Sequence, residues 1–169
     1  NNRDRMVTSA KMAGGVSQSP DMSWLVNGAA QTDDPAVMIN DKQYAVLIPG
    51  CSLAKPQKRW PADRFATIGN ELAVRGFEVV LVGTADDRDA VNAVLAASPD
   101  AIDLCGKTNL AGLARLLGGA AFAIGNDTGP MFLAAQTGVP SLMIMGPDTD
   151  PTMSAPKGAA ASWLQGVPI

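Results

Sequence analysis

The sequence contains no histidine. That absence removes the commonest general base and the commonest transition-metal ligand together, so Ser-His-Asp chemistry and a His-ligated zinc centre are excluded within this chain. Cysteine is nearly as scarce: Cys51 and Cys105 are too few for a disulfide framework, and each ends an apolar run as a small buried hydrophobe does. Thirteen basic residues stand against sixteen acidic ones, for a formal charge of −3. Nowhere do Lys and Arg gather into the dense stripe that nucleic acid or an anionic membrane requires, and nucleic acid is not expected as a partner. No apolar run approaches the ~20 residues needed to span a bilayer, and the opening N-N-R-D-R-M-V-T-S-A lacks the apolar core of a signal peptide. A cytoplasmic setting is expected. Two familiar nucleotide motifs are missing as well, since no G-x-G-x-x-G follows the first strand-like run and no G-x-x-x-x-G-K-[ST] occurs anywhere.

What is present is a chain of 169 residues, 47% of them hydrophobic and 17% charged, enough for one full core with appendages. From Tyr44 onward short apolar runs alternate with longer amphipathic ones. Strands are expected at Tyr44–Ile48, Phe77–Val82, Ala101–Leu104, Ala120–Ile124 and Ser141–Met145. Helices are expected at Pro61–Arg75, Asp86–Ala97, Leu110–Leu117 and Pro130–Thr137, with Gly76 and Gly138 as C-terminal stops. Apolar strands separated by helices predict a Rossmann-like α/β fold, a parallel sheet with helices on both faces. The Gly-rich turns after the strands then fall on one edge, at the carboxyl ends, where open α/β sheets bind ligands. Residues 1–40 are rich in turn signals and read as a connecting arm, and residues 41–169 as the folded domain. After Pro151 no further strand is expected before the final Val167-Pro168-Ile169.

Four stretches could carry chemistry. In Gly125-Asn126-Asp127-Thr128-Gly129-Pro130, proline suits the first helical position and Asp or Thr before it is a preferred N-cap. The helix opened there would aim its free N–H groups at the ligand edge, and Gly129 would let a phosphate approach closely. The plainer reading of Asp127 is a simple helix cap. The loop Pro49–Pro61 is long for a junction between strand and helix and holds Lys55, Lys58 and Arg59. Of these, Lys58 is the candidate point charge for a diphosphate, and Lys55 and Arg59 read as solvated charges. Gly83-Thr84-Ala85-Asp86-Asp87 offers acids that could hold ribose hydroxyls or merely complement a helix dipole. Gly146-Pro147-Asp148-Thr149-Asp150-Pro151 either lines the same site or simply ends the sheet.

In order along the chain, P-G-C-S, K-R-W-P, L-V-G-T-A-D-D, D-L-C-G-K-T-N-L, G-N-D-T-G-P-M-F-L-A-A and V-P-S-L-M-I-M-G-P resemble the lipopolysaccharide heptosyltransferases of glycosyltransferase family 9. The resemblance covers roughly Tyr44 to Pro151, and Pro20–Leu25 looks like the family's lead-in segment. It implies the C-terminal, nucleotide-sugar-binding half of a GT-B enzyme, with the arm coming from an N-terminal domain. It further implies an ADP-heptose or related donor, inverting transfer to the lipopolysaccharide inner core, and no metal or other cofactor. By position, Ser52 and Lys58 match the diphosphate-contacting loop, with Lys58 stabilising the leaving group. Gly83, Asp86 and Asp87 match the ribose-holding turn, and Asp127, Thr128 and Gly129 the donor-binding D-[ST]-G. Phe132 stands where the family usually has histidine. The general base is expected in the acceptor-binding half, so this stretch alone would bind a nucleotide without transferring sugar. A cytoplasmic enzyme is implied, peripheral at the inner face of the bacterial inner membrane. Two alternatives stay open: a GT-B-like enzyme using another nucleotide sugar, and a non-catalytic nucleotide-binding or interaction module.

Overall fold

A computed structural model describes residues 2–15, 39 and 42–166. Helix α1 (Asn2–Met12) falls within the stretch expected to be an arm, with Met6 and Met12 largely exposed. The rest of the expected arm, including Pro20–Leu25, lies outside the described residues. From Tyr44 the chain forms β1 (Tyr44–Ile48), α2 (Ala62–Val74), β2 (Glu78–Leu81), α3 (Arg88–Leu95), β3 (Ile102–Asp103) and α4 (Leu110–Gly119). It continues through β4 (Phe122–Asn126), α5 (Gly129–Thr137), β5 (Ser141–Met145), the short α6 (Pro151–Ser154) and β6 (Ala161–Gln165). All neighbouring strands pair in parallel, in the order β3-β2-β1-β4-β5-β6. The Rossmann-like α/β architecture expected from the alternating runs is therefore present.

The apolar runs are continuous because both faces of the sheet are covered. Val46, Ile48, Val80, Ala123, Met143 and Met145 face α4 and α5, meeting Leu116, Leu117, Met131 and Ala134. Leu47, Val79 and Leu81 face α2 and α3, meeting Phe65, Ala66, Val91 and Val94. The α2 helix ends as its sequence predicts. Gly76 sits at φ 88°, its N–H donates to the Ala73 carbonyl, and the Phe77 N–H donates to the Leu72 carbonyl, which closes a Schellman motif. Gly138, at φ 83°, stops α5 in the same left-handed conformation.

Three expectations need correction. The strand expected at Ala120–Ile124 runs two residues later, so Gly125 and Asn126 belong to β4 and pair with Ile48, Met143 and Ile144 of the neighbouring strands. The third strand shrinks to Ile102–Asp103. A sixth strand, β6, forms where none was expected. Ala161-Ser-Trp-Leu-Gln165 has little intrinsic β preference, and it is extended because five consecutive residues pair with β5 at the sheet edge.

The chain reverses its direction of travel across the sheet between β1 and β4, which are adjacent although 73 residues of chain separate their ends (Ile48 to Phe122, with 49–121 between them). The loops leaving these two strands must diverge and leave a crevice at their carboxyl ends. Phe65 anchors the α2 side of this arrangement, fully buried and edge-on to Trp60 at 5.1 Å. Phe65→Ala is expected to lower the unfolding free energy by about 3–5 kcal/mol, measured by urea titration followed by far-UV circular dichroism.

Candidate functional site

A cleft of about 580 Å³ opens at the carboxyl ends of β1, β2 and β4. It brings together Ser52 from the loop after β1, Gly83, Asp86 and Asp87 from the loop after β2, and Thr128 from the start of α5. Ile48, Val82, Leu113 and Pro130 supply apolar wall, and Thr108 and Asn109 come from the loop after β3. Neither stands out individually in the sequence, although both belong to the D-L-C-G-K-T-N-L stretch. Of the other candidates, Lys58 and Asp127 pair with each other just ahead of Thr128 and do not line the cleft, Gly129 is exposed at the first position of α5, and Phe132 is 39% exposed outside the cleft wall.

The loop after β1 is held inward by charge. A short 3-10 turn, Pro56–Lys58, lifts Lys58 so that its Nζ donates to Asp127 Oδ2. The Thr149 hydroxyl donates to the same oxygen at 3.3 Å. Asp127 therefore does not cap α5. Its N–H is occupied in the ladder by the Ile144 carbonyl at 3.0 Å, and Thr128 is the N-cap, with no hydrogen bond from its side chain. Gly146, in the turn after β5, lies against Lys58: a Cβ there would come within 3.2 Å of the Lys58 Cα. Thr149 and Gly146 thus place the turn after β5 behind the site rather than leaving it a plain end to the sheet. Lys55 is exposed as expected, whereas Arg59 is not a solvated charge. It is half-buried, and its guanidinium donates to the Cys51 carbonyl at 3.3 Å.

Asp87 occupies the space between the ends of β1 and β2. One of its oxygens accepts from both the N–H and the hydroxyl of Thr84, each at 2.9 Å, and the Thr84 side chain accepts in return from the Asp87 N–H, which completes a capping box. The two glycines beside it are glycines for room. A Cβ at Gly50 would lie 2.2 Å from the Asp87 Cγ, and one at Gly83 would lie 2.9 Å from the Asp87 Cβ. Asp86, next to it, is exposed.

A second polar cluster, with no signal in the sequence, fixes the loop after β3 to the loop after β2. Arg88 donates to Asp103 Oδ2 and to the Cys105 carbonyl, both at 2.7 Å, and the Cys105 N–H donates to Asp103 Oδ1 at 2.9 Å. Partial burial of Asp103 raises its pKa, but the hydrogen bond from Arg88, the Cys105 N–H and the nearby positive charges outweigh it, so the carboxyl sits below its ordinary value. The Arg88 pKa rises in turn, chiefly through the same hydrogen bond. Burial pushes the Cys105 thiol up, keeping it protonated. Both cysteines are buried and unpaired.

A parallel sheet wound in both directions from a switch point, with a cleft at the strand carboxyl ends and a helix N-terminus opening onto it, is a Rossmann-like α/β domain. The sequence comparison makes the class specific. The chain belongs to glycosyltransferase family 9 (heptosyltransferase), whose model matches residues 3–165. It is 29% identical over 133 residues to the lipooligosaccharide heptosyltransferase 2 of Haemophilus influenzae, covering 76% of this chain and 38% of that protein. It is 33% identical over 99 residues to the lipopolysaccharide heptosyltransferase 2 of Salmonella typhimurium, covering 56% of this chain and 28% of that protein. Among solved structures, the E. coli ADP-heptose lipopolysaccharide heptosyltransferase II superposes with a TM-score of 0.71 at 25% identity, over 80% of this chain and 44% of that one. A glycosyltransferase family 9 protein of Veillonella parvula gives 0.71 at 28% identity, over 88% and 42%. The chain thus spans between 28% and 38% of the length of the curated relatives it matches. Among the described residues no helix is long and apolar enough to cross a membrane.

Because the folded-state pKa of Asp103 is depressed, its contribution to stability is complete above the ordinary carboxylate value and is lost as pH falls through the folded value. Melting temperature is expected to fall as pH drops below about 4. Arg88→Met should flatten that decline relative to the unaltered protein, as read by melting curves taken between neutral pH and pH ~2.5.

Proposed function

We propose that residues 41–169 form the donor-binding domain of an inverting, metal-independent glycosyltransferase that moves heptose from ADP-heptose to the lipopolysaccharide inner core. Residues 1–40 are then the arm from an acceptor-binding domain that supplies the general base. Membership of the family supports the class of reaction, and the name of the E. coli structural relative supports the donor. The observation that carries the reading is the pairing of the Lys58 ammonium with Asp127 directly ahead of α5, whose N-cap Thr128 lines the cleft.

On this reading Ser52, Lys58, Thr128 and Gly129 receive the diphosphate, Asp127 orients Lys58, and Asp87, with Gly83 giving it room and Asp86 beside it, receives the ribose. Breaking the bond between sugar and diphosphate leaves growing negative charge on the departing phosphate oxygens. A fixed ammonium and helix N–H groups attract that charge more strongly in the transition state than in the ground state, which is the condition for accelerating the step. The chain's own cation thereby supplies the charge stabilisation that a metal would otherwise give. The enzyme would work in the cytoplasm, peripheral at the inner face of the inner membrane, where its acceptor is displayed.

Phe132 favours a second reading, in which the donor is another nucleotide sugar. This side chain is exposed in the first turns of α5 and can neither donate to a phosphate nor carry charge. Calorimetric titration with ADP, UDP and NAD separates the two. ADP is expected to bind most tightly, and Lys58→Met combined with Asp127→Asn, which avoids leaving one buried charge alone, should weaken it about 10- to 100-fold. No binding at millimolar ADP would overturn the proposal, and a preference for UDP would favour the second reading.

A further inference from the structure

The loop that carries Ser52 and Lys58 leaves β1 at Pro49 and reaches the entrance of α2 at Trp60, and one side chain holds both of its ends. Asn126, the last residue of β4, is 0% exposed. Its Nδ2 donates to the Pro49 carbonyl at 2.7 Å, and its Oδ1 accepts from the Trp60 N–H at 2.9 Å. An asparagine amide is suited to this because one planar group presents a donor and an acceptor together. Aspartate would face the Pro49 carbonyl with a second acceptor, and an aliphatic residue would leave a buried carbonyl and a buried N–H without partners.

The next residue in the chain is Asp127, which holds the ammonium of Lys58, two positions before Trp60. Two consecutive residues, Asn126 at the end of β4 and Asp127 just after it, therefore grip the same loop, Asn126 by the loop's backbone at both ends and Asp127 by its charge. With the ends fixed, the number of conformations open to the intervening residues falls, and the ammonium is delivered to a defined place without a conformational search on binding. Complete burial keeps Asn126 from touching any ligand in the cleft, so whatever it does for the site it does through the loop.

We infer that Asn126 is a positioning residue that sets the location of Lys58. This rests on the proposed function only in taking a diphosphate as what Lys58 meets, and the experiment has one arm without ligand for that reason. In the first arm, lysines are acetylated at low conversion and counted by mass spectrometry. Asn126→Asp is expected to raise the labelling of Lys58 several-fold relative to Lys42, towards the rate of exposed Lys55. An unchanged ratio of Lys58 to Lys42 overturns the inference. If Asn126→Asp does not melt cooperatively, Asn126→Ser, which is small and uncharged, is put to the same measurement and the same criterion. In the second arm, ADP titration of the full chain should show about tenfold weaker binding for the variant, the size of one buried hydrogen bond. That loss should nearly vanish when the substitution is made on top of Lys58→Met and Asp127→Asn. An equal loss in both backgrounds means that Asn126 acts independently of Lys58 and also overturns the inference. Should the unaltered chain bind no ADP, the functional reading fails while the labelling arm still decides the placement of Lys58.

Discussion

The ion pair between Lys58 and Asp127 is the contact on which the site depends, and it is a poor choice if stability were its only purpose. The aspartate side chain is 6% exposed and the lysine 19%, so both charges have given up most of their water. Desolvation of that degree costs several kcal/mol per ion, and pairing offsets it without a clear surplus; two apolar side chains of similar size would stabilise the same junction at least as well. What the pair does provide is direction. It fastens a loop from one strand to the end of another and holds a cation beside the opening of α5.

That fastening is available only because of the sheet order. Lys58 follows β1 by ten residues and Asp127 follows β4 directly, so they can meet only if β1 and β4 are neighbours, as they are at the point where the chain changes direction. The same junction explains the smaller features around it. Asp87 needs the room that Gly50 and Gly83 leave, because the ends of β1 and β2 lie side by side. Thr149 reaches Asp127 because β5 lies next to β4, and the turn that bears it is held from the far side by Gln165 of β6, whose amide donates to the Thr149 carbonyl at 2.7 Å. The edge strand is thus part of the support of the site, three strands away from the lysine loop.

How far this could be read from the sequence divides along the range of the interactions. Continuous apolar runs, the stops at Gly76 and Gly138, and the Thr128-Gly129-Pro130 helix start are local patterns, and the fold class and the candidate edge followed from them. Lys58 and Asp127 could be named separately, and the family motifs placed them in one site, but no spacing in the chain predicts that they form a pair across 69 residues. Asn126 looked like part of a turn because the end of β4 was placed two residues early; its partners lie 66 and 77 residues away. Arg59 carries no mark of its hydrogen bond to Cys51, nor do Arg88 and Asp103 of theirs. In β6 a weak local preference was overruled by a free edge waiting to be paired, which only the assembled sheet reveals.

The helix start deserves less of the credit for anion binding than its position suggests. Pro130 has no N–H to give, and the first turn of α5, Gly129-Pro130-Met131-Phe132, contains no side chain able to donate. A helix terminus typically contributes about 0.3–1 kcal/mol toward a neighbouring charge, whereas a hydrogen bond to a charged group contributes about 1.5–3. On the proposed reading the ammonium of Lys58, held beside the opening of α5, would then be the larger attraction for a diphosphate. Its affinity would follow the placement of one flexible side chain more closely than the orientation of α5, and the residues that govern that placement would be the ones buried behind the loop rather than those lining the cleft.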